Sequence, residues 1–377
     1  MPRPLQAVID MGALASNHAL AKRLAPRARA FATIKANGYG HGIRRVERAL
    51  AGADGFAVCE IEQAAALRTR ARAARREQPV LLLEGFFSTR DLLVCSLEGI
   101  ATVVHDVAQV EMLERTLLDS PVDVFVKMNS GMNRLGFAPS RFANAVERLH
   151  ALAAVRSITL MTHFASADEA EGIAAQLAVF DAHAAAFASL PRSLANSAAL
   201  LRHPESHGDW VRPGIMLYGV SPFADCDAAS LGLRPAMRLE SEVIGVQSLV
   251  AGDRVGYAGT FRADGPMRVG IVACGYADGY PRHAPTGTPV LVDAQRSRIV
   301  GRVSMDMLAV DLTGLPAAGV GAPVALWGGE LPVEEVARAA GTIAYELLCA
   351  LAPRVPVRES AGDDDAASAA APGAAAT

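Results

Sequence analysis

Lys35 stands where an apolar run, FATI (residues 31–34), meets a glycine-rich segment, ANGYGHG (36–42). An amine held against an apolar wall has its charged form disfavoured, which frees its lone pair for attack on a carbonyl carbon. A lysine whose ammonium snorkels to solvent at a strand end fits the same segment equally well. Further along the chain, other apolar runs also finish on a polar or charged residue: Glu84, His105, Lys127, His163, Ser197 and Arg212. One of these alone is a solvated strand end. Seven together, Lys35 included, describe a polar mouth at the carboxyl ends of a set of buried strands. Two tyrosines have ordinary readings when taken alone: Tyr257 in VGYAGTF as a strand-end aromatic before a turn, and Tyr345 as a core aromatic at the start of a helical run.

The elements that must position these residues follow a rhythm from Phe31 to about Gly219. The runs FATIK (31–35), FAVCE (56–60), VLLLEG (80–85), IATVVHD (100–106), VDVFVKM (122–128), ITLMTHF (158–164), SLANS (193–197) and WVRPGIMLYG (210–219) suit buried strands. Ala-, Leu- and Arg-rich stretches of helical period separate them. Continuous apolar strands alternating with helices favour a parallel sheet. Eight units in this length predict an α/β fold, a TIM-type (β/α)8 barrel over residues 1–228, with an open doubly wound sheet as the alternative. Turn formers crowd SPFADCDAASLG (221–232). Beyond it, β-type runs separated by Gly, Asp and Pro predict a mainly β domain over residues 229–360. LPVEEVARAAGTIAYELLCAL is its helical segment and RVPVRE its closing run. Residues 361–377 lack large apolar side chains and are expected to be a disordered tail without a site.

Composition narrows the partners. The 377 residues are 51% hydrophobic and 20% charged, which is ample for a core. The 36 Lys and Arg nearly balance 39 Asp and Glu, leaving a net charge of -3, so no polyanion partner is favoured. The arginine run RTRARAARR (68–76) reads as a solvated helix face, and no nucleic-acid partner is expected. Five scattered cysteines without a C-x-x-C pair argue against a disulfide framework or a metal site, and suit a reducing compartment. MPRPLQAVID has no apolar signal core, and no run of eighteen uncharged apolar residues occurs. A soluble, cytoplasmic protein with no membrane partner is expected.

IKANGYGHG (34–42) resembles the cofactor-lysine segment of the alanine racemases, members of the fold type III pyridoxal phosphate enzymes. The resemblance recurs in order through VKMNSGMNRLGF (126–137), THFASADE (162–169), LANSAA (194–199), RPGIMLYG (212–219), VGYAGTF (255–261), GYADGYPR (275–282), GRVSMDM (301–307) and AYELLCAL (344–351). It spans the chain from about Ala7 to Arg358. It implies the same architecture as the strand rhythm, a (β/α)8 barrel followed by a β domain.

The resemblance also implies roles. Lys35 carries pyridoxal 5'-phosphate as a Schiff base, while Tyr39, Ser197, Tyr345 and the amides of Gly214 and Ile215 hold its phosphate. Arg212 donates to the pyridine nitrogen; a guanidinium does not readily give up a proton, so that nitrogen stays neutral and the ring is a weak electron sink suited to racemisation. Lys35 and Tyr257 become the two bases on opposite faces of Cα, with His163 and Arg212 networked to Tyr257. Arg134 binds the substrate carboxylate, beside Lys127, which matches a lysine carbamylated in many members. Met305 and Asp306 line the substrate side, and Tyr276 narrows the channel. The family implies a homodimer in which the β domain of one subunit completes the site of the other.

The expected reaction is interconversion of L- and D-alanine, with D-alanine passing to peptidoglycan. Ala258 stands where the family commonly has glycine, and Met307 where glutamine is usual. A racemase of serine or basic amino acids is the nearest alternative; Tyr276, Tyr345 and Met305 weigh against long side chains. Arg212 weighs against a fold-related decarboxylase, which has an acidic residue at the cofactor nitrogen. The whole β domain weighs against a barrel-only pyridoxal phosphate carrier.

Overall fold

The computed structural model describes residues 3–361; of the expected tail, residues 362–377 lie outside the described residues. Strand β1 (Leu5–Asp10) leads into a helix (Met11–Leu24), capped by Asp10 Oδ1 accepting from the Ala13 amide at 2.8 Å. Then β2 (Arg29–Thr33), β3 (Gly55–Val58), β4 (Val80–Leu82), β5 (Ala101–Val104), β6 (Val122–Lys127), β7 (Val155–Met161), β8 (Arg192–Ser193) and β9 (Trp210–Val211) follow. They close in that order into a parallel barrel, β9 pairing back onto β2. Each of the eight apolar runs supplies one barrel strand, and closure excludes the open sheet.

Alternate residues along each strand face the barrel axis. Phe31, Ala57, Leu81, Val103, Phe125, Met161 and Trp210 form a buried cluster there, apart from the main core. Phe31 stacks on Trp210 at 3.9 Å between ring centroids and meets Phe125 edge-on at 5.7 Å. Residues between these positions, such as Ala32, Val58, Leu82, Val104 and Val126, join the main core under the helices. Two residues past an axial position come Lys127 after Phe125, His163 after Met161 and Arg212 after Trp210. The period of two therefore puts these polar groups over the barrel mouth rather than among the helices.

The second domain is mainly β, with β10 (Met237–Leu249) as its hub. It pairs antiparallel with β1, with Met267–Val272 and with Pro323–Trp327. The sequence reading counts residues 5–10 with the barrel, whereas the structure puts them in this second sheet. Ala7 lies opposite Leu239 on one side and Val357 on the other. LQAVID is a short apolar run that carries no local mark of partners so distant in sequence.

The predicted helical segment divides at Gly341 (φ +72) into Val333–Ala340 and Ala344–Cys349. The second helix packs back onto the barrel beside the Lys35 segment. A Cβ built on Gly40 would stand 1.9 Å from the Leu348 carbonyl oxygen, so only glycine admits this approach. Among the described residues no helix is long and apolar enough to cross a membrane, and no cluster of three or more His, Cys, Asp or Glu could hold a metal ion.

Candidate active site

Past β2 the chain does not turn in the usual sense. Ala36, Asn37, Gly38 and Tyr39 are all left-handed, with φ of 52, 53, 63 and 50°. Each non-glycine residue in that region costs about 1–2 kcal/mol, so surrounding contacts must hold the turn. It presents Lys35, half-buried, at the mouth and folds Tyr39 into the interior. Tyr39 stacks on Tyr218 at 4.6 Å and lies 6.2 Å from the Tyr345 ring, which arrives on the helix Ala344–Cys349. Burial raises the Tyr39 phenol above its ordinary pKa, so the hydroxyl stays protonated and can donate.

Beside Tyr39 lies a cradle of amides and a hydroxyl. Ser197 Oγ accepts from the Gly214 amide at 2.8 Å and the Met216 amide at 3.4 Å, with buried Ile215 between them. A Cβ on Gly214 would stand 2.6 Å from Tyr39 Oη, so glycine keeps this corner open. Donors of this kind, with little formal charge, suit a phosphate.

Arg212 is buried opposite. Its Nη1 donates to the Ser193 carbonyl and hydroxyl, both at 2.7 Å, and its Nη2 to the carbonyls of Thr162 at 2.7 Å and Leu194 at 3.0 Å. Among the described residues no carboxylate pairs with it, and no acceptor meets its Nε–H. Burial pushes its pKa down to about 9, and it remains a cation at neutral pH. His163 Nδ1 lies 3.3 Å from Arg212 Nη2; a guanidinium has no lone pair to offer an N–H, so Nδ1 turns its own lone pair toward the cation and the ring proton sits on Nε2. Burial, reinforced by Arg212 and Lys127, holds His163 well below its ordinary pKa and therefore neutral. Lys127, 6% exposed, is likewise pushed down to about 8, by burial first and then by Arg212, Arg134 and Lys35. Arg134 is exposed on the loop after β6, close enough to act on both.

These groups fit pyridoxal phosphate: an amine for its aldehyde, a hydroxyl-and-amide cradle for its phosphate, and one uncommitted N–H on Arg212 for the lone pair of a pyridine nitrogen.

Two more of the residues singled out in the sequence lie together on loops of the β domain. Tyr276 and Met305 are stitched together, the Tyr276 amide donating to the Ser304 carbonyl at 3.0 Å and the Ala277 amide to the Met305 carbonyl at 2.9 Å. Beneath them Asp278, fully buried, accepts from Arg3 at 2.7 and 2.8 Å and from Arg354 at 2.7 Å. Burial alone would raise the Asp278 pKa, but the two arginines outweigh it and hold the carboxylate ionised. Arg354 also donates to Asp306 at 2.6 Å, so that carboxylate is already engaged. The motifs located Tyr276, Met305 and Asp306, but the ion-pair scaffold of Arg3, Asp278 and Arg354 had no spacing signal.

Tyr257 is the exception. It is 72% exposed, on the short turn Tyr257–Gly259, and among the described residues it has no hydrogen bond or ring contact. Its neighbour Ala258 sits at φ +61, a left-handed position that explains why glycine is the usual residue there.

The buried histidines set an acid limit on stability. Burial lowers the pKa of His18, of His163 and of His41, the last to about 4. Between pH 6.5 and 4 the unfolded chain therefore binds protons that the folded chain refuses, and stability falls as pH falls. Urea unfolding of the apoprotein is expected to show a loss of roughly 2–3 kcal/mol from His41 alone between pH 7 and 4.5. His41→Asn should flatten that slope; an unchanged slope would place the titrating groups elsewhere.

A closed parallel barrel with this mouth and an appended β domain defines the barrel class of pyridoxal phosphate enzymes. Within that class, the pattern of the alanine racemase N-terminal domain matches residues 9–222 and that of the C-terminal domain residues 236–359. The alanine racemase of Nitrosospira multiformis is 58% identical, covering 94% of this chain and 99% of its own. The crystal structure of biosynthetic alanine racemase from Pseudomonas aeruginosa superposes with a TM-score of 0.90 at 48% identity, covering 95% of this chain and 99% of that one. The alanine racemase from Bartonella henselae, solved with covalently bound pyridoxal phosphate, has a TM-score of 0.85 at 27% identity, covering 95% of this chain and all of that one. The chain belongs to the alanine racemase family of pyridoxal phosphate-dependent enzymes.

Proposed function

We propose that this protein interconverts L- and D-alanine, with pyridoxal phosphate held on Lys35 and two bases, Lys35 and Tyr257, acting on opposite faces of the substrate Cα. The observation that carries this reading is Arg212, a buried cation that among the described residues has no carboxylate partner and no acceptor for its Nε–H. An acidic residue in its place would favour a strong electron sink and decarboxylase-like chemistry; a guanidinium donor favours a mild one.

When bound, the cofactor draws electron density from the Cα–H bond and so eases its breaking. The chain's own residues do the rest. Tyr39, Ser197, Tyr345 and the backbone at Gly214 and Ile215 would grip the phosphate, and Arg212 Nε–H would meet the ring nitrogen. Arg134 binds the substrate carboxylate through its guanidinium fork. Lys127, buried among Arg212, Arg134 and Lys35 and held near pKa 8, keeps a fraction of neutral amine at neutral pH whose lone pair attacks the carbon of carbon dioxide. Carbamylation there forms an N–C bond, releases a proton, and places a negative charge beside Arg134. Tyr276, Tyr345 and Met305 crowd the site and keep the side chain of the substrate small.

Lys35 Nζ takes or returns the Cα proton on the D-alanine face, and Tyr257 Oη does so on the L-alanine face. His163, neutral with its proton on Nε2, can donate to the Tyr257 oxygen and favour phenolate. Tyr257 is exposed and, among the described residues, without a hydrogen bond or ring contact, which supports its delivery to the mouth of a second copy. The working unit is a homodimer with two shared sites. Enantiomers have equal free energy, so consumption sets the direction of flux. We place the enzyme in the cytoplasm as a source of D-alanine for peptidoglycan.

Incubation with L-alanine and pyridoxal phosphate in deuterated water tests the reading. D-alanine carrying deuterium at Cα is the expected product, read by chiral chromatography with mass detection. Recovery of unlabelled L-alanine alone overturns it.

A further inference from the structure

We propose that His41 is a positioning residue for the phosphate end of the cofactor: the proton on its Nδ1, donated to the Tyr39 carbonyl, fixes the left-handed turn that aims Tyr39. This rests on the cofactor reading above and adds a residue to it.

The turn is largely bonded to itself. The Gly38 amide donates to the Ile34 carbonyl at 2.9 Å, Gly40 to Ala36 at 3.1 Å, His41 to Gly38 at 3.0 Å and Gly42 to Asn37 at 2.8 Å. The Tyr39 carbonyl takes no backbone donor from the segment that follows. It accepts instead from His41 Nδ1 at 2.8 Å. A carbonyl can only accept, so that nitrogen carries the proton. The His41 ring is fully buried, and among the described residues its Nε2 has no partner, so Nδ1, which faces the turn's own backbone, is the nitrogen that engages it. Burial keeps the ring neutral at physiological pH, and the donor is therefore permanent.

The same ring also reaches Tyr39 from its other end. His41 lies 4.6 Å from Tyr218, whose opposite contact is Tyr39, also at 4.6 Å. Tyr218 is anchored by its hydroxyl, which donates to the Thr33 carbonyl at 3.0 Å just before Lys35. His41 thus holds the backbone of Tyr39 directly and its phenol through Tyr218. Three non-glycine residues in left-handed conformations have every incentive to relax, and a relaxed turn would carry Tyr39 Oη away from Ser197 and Gly214.

Side-chain isosteres separate this role from mere packing. The amide nitrogen of asparagine reaches the position of Nδ1, whereas that of glutamine reaches Nε2; both lose the ring contact with Tyr218. The readout is the affinity of the apoenzyme for pyridoxal phosphate and for pyridoxal, followed by absorbance, alongside the melting temperature. His41→Asn is expected to keep the preference for the phosphorylated form within about threefold of wild type. His41→Gln should lose about tenfold in pyridoxal phosphate affinity, the scale of one hydrogen bond, while pyridoxal binding hardly changes. His41→Leu, which has no donor, should follow His41→Gln and stands in for it if that protein does not fold. Adding Tyr39→Phe should cause little further loss in either variant. If all three substitutions weaken both compounds alike, in step with melting temperature, His41 is only core packing and the proposal is overturned. If the wild-type apoprotein shows no preference for the phosphorylated form, the cofactor reading itself fails and His41 falls with it.

Discussion

Lys35→Ala is expected to abolish racemisation in both directions, a loss on the order of 10⁴-fold or more in kcat, and to end covalent attachment of the cofactor. In the proposed mechanism two functions vanish with one amine: the bond to the cofactor and the proton carrier on the D-alanine face. No neighbour can substitute. Lys127 is the nearest candidate in type, but it belongs to another strand, is buried, and shares its surroundings with Arg212 and Arg134. Lys35 instead is half-buried at the start of the left-handed turn. Borohydride reduction followed by peptide mapping is the direct check. A wild-type label on the Lys35 peptide and none on the variant is the expected pattern; a label or turnover surviving in Lys35→Ala would sink the assignment.

The second large effect is a recovery. Lys35→Ala and Tyr257→Phe homodimers should each be nearly inactive, yet mixed dimers should regain activity. In a mixed dimer one site joins the altered barrel to the altered β domain and is lost twice over. The other joins an intact Lys35 to an intact Tyr257. With equal amounts and free exchange, half the dimers are mixed and half their sites work, so about a quarter of wild-type activity returns. The structural ground is the exposure of Tyr257, 72%, on a turn of the β domain where, among the described residues, it has no hydrogen bond or ring contact. Refolding the two chains together, isolating tagged heterodimers and measuring D-alanine formation decides the matter. Verified heterodimers without activity would mean that each site is built from one chain.

Much of the barrel was legible because its signal is local. A strand buried on both faces must be a short apolar run, and each of the eight runs became a strand. The positions of Lys127, His163 and Arg212 were legible for the same reason, since the period of two carries the axial register one layer beyond Phe125, Met161 and Trp210. Where the sequence reading went astray, the deciding contacts were remote. β1 reads like any short apolar run, and its place between β10 and Val357–Ser360 depends on hydrogen bonds to segments from the far end of the chain. Gly341 divides one apparent helix because a left-handed cap ends Val333–Ala340, a break that the helical periodicity does not register.

The amino-acid sequence by itself determined the barrel, the β domain after it, and the family, because strand periodicity and nine ordered motifs are properties of neighbouring residues. Only the tertiary structure decided how the chemistry is held. It showed that Arg212 spends all but one of its donors on carbonyls and a hydroxyl from neighbouring segments, and that Asp278 gathers Arg3 and Arg354 from opposite ends of the chain. It also showed that Tyr39 ends a left-handed turn and that its carbonyl meets His41 Nδ1. Those are relations between groups far apart in sequence or in unusual backbone geometry. A sequence names the groups, but burial and direction exist only once the chain has folded around them.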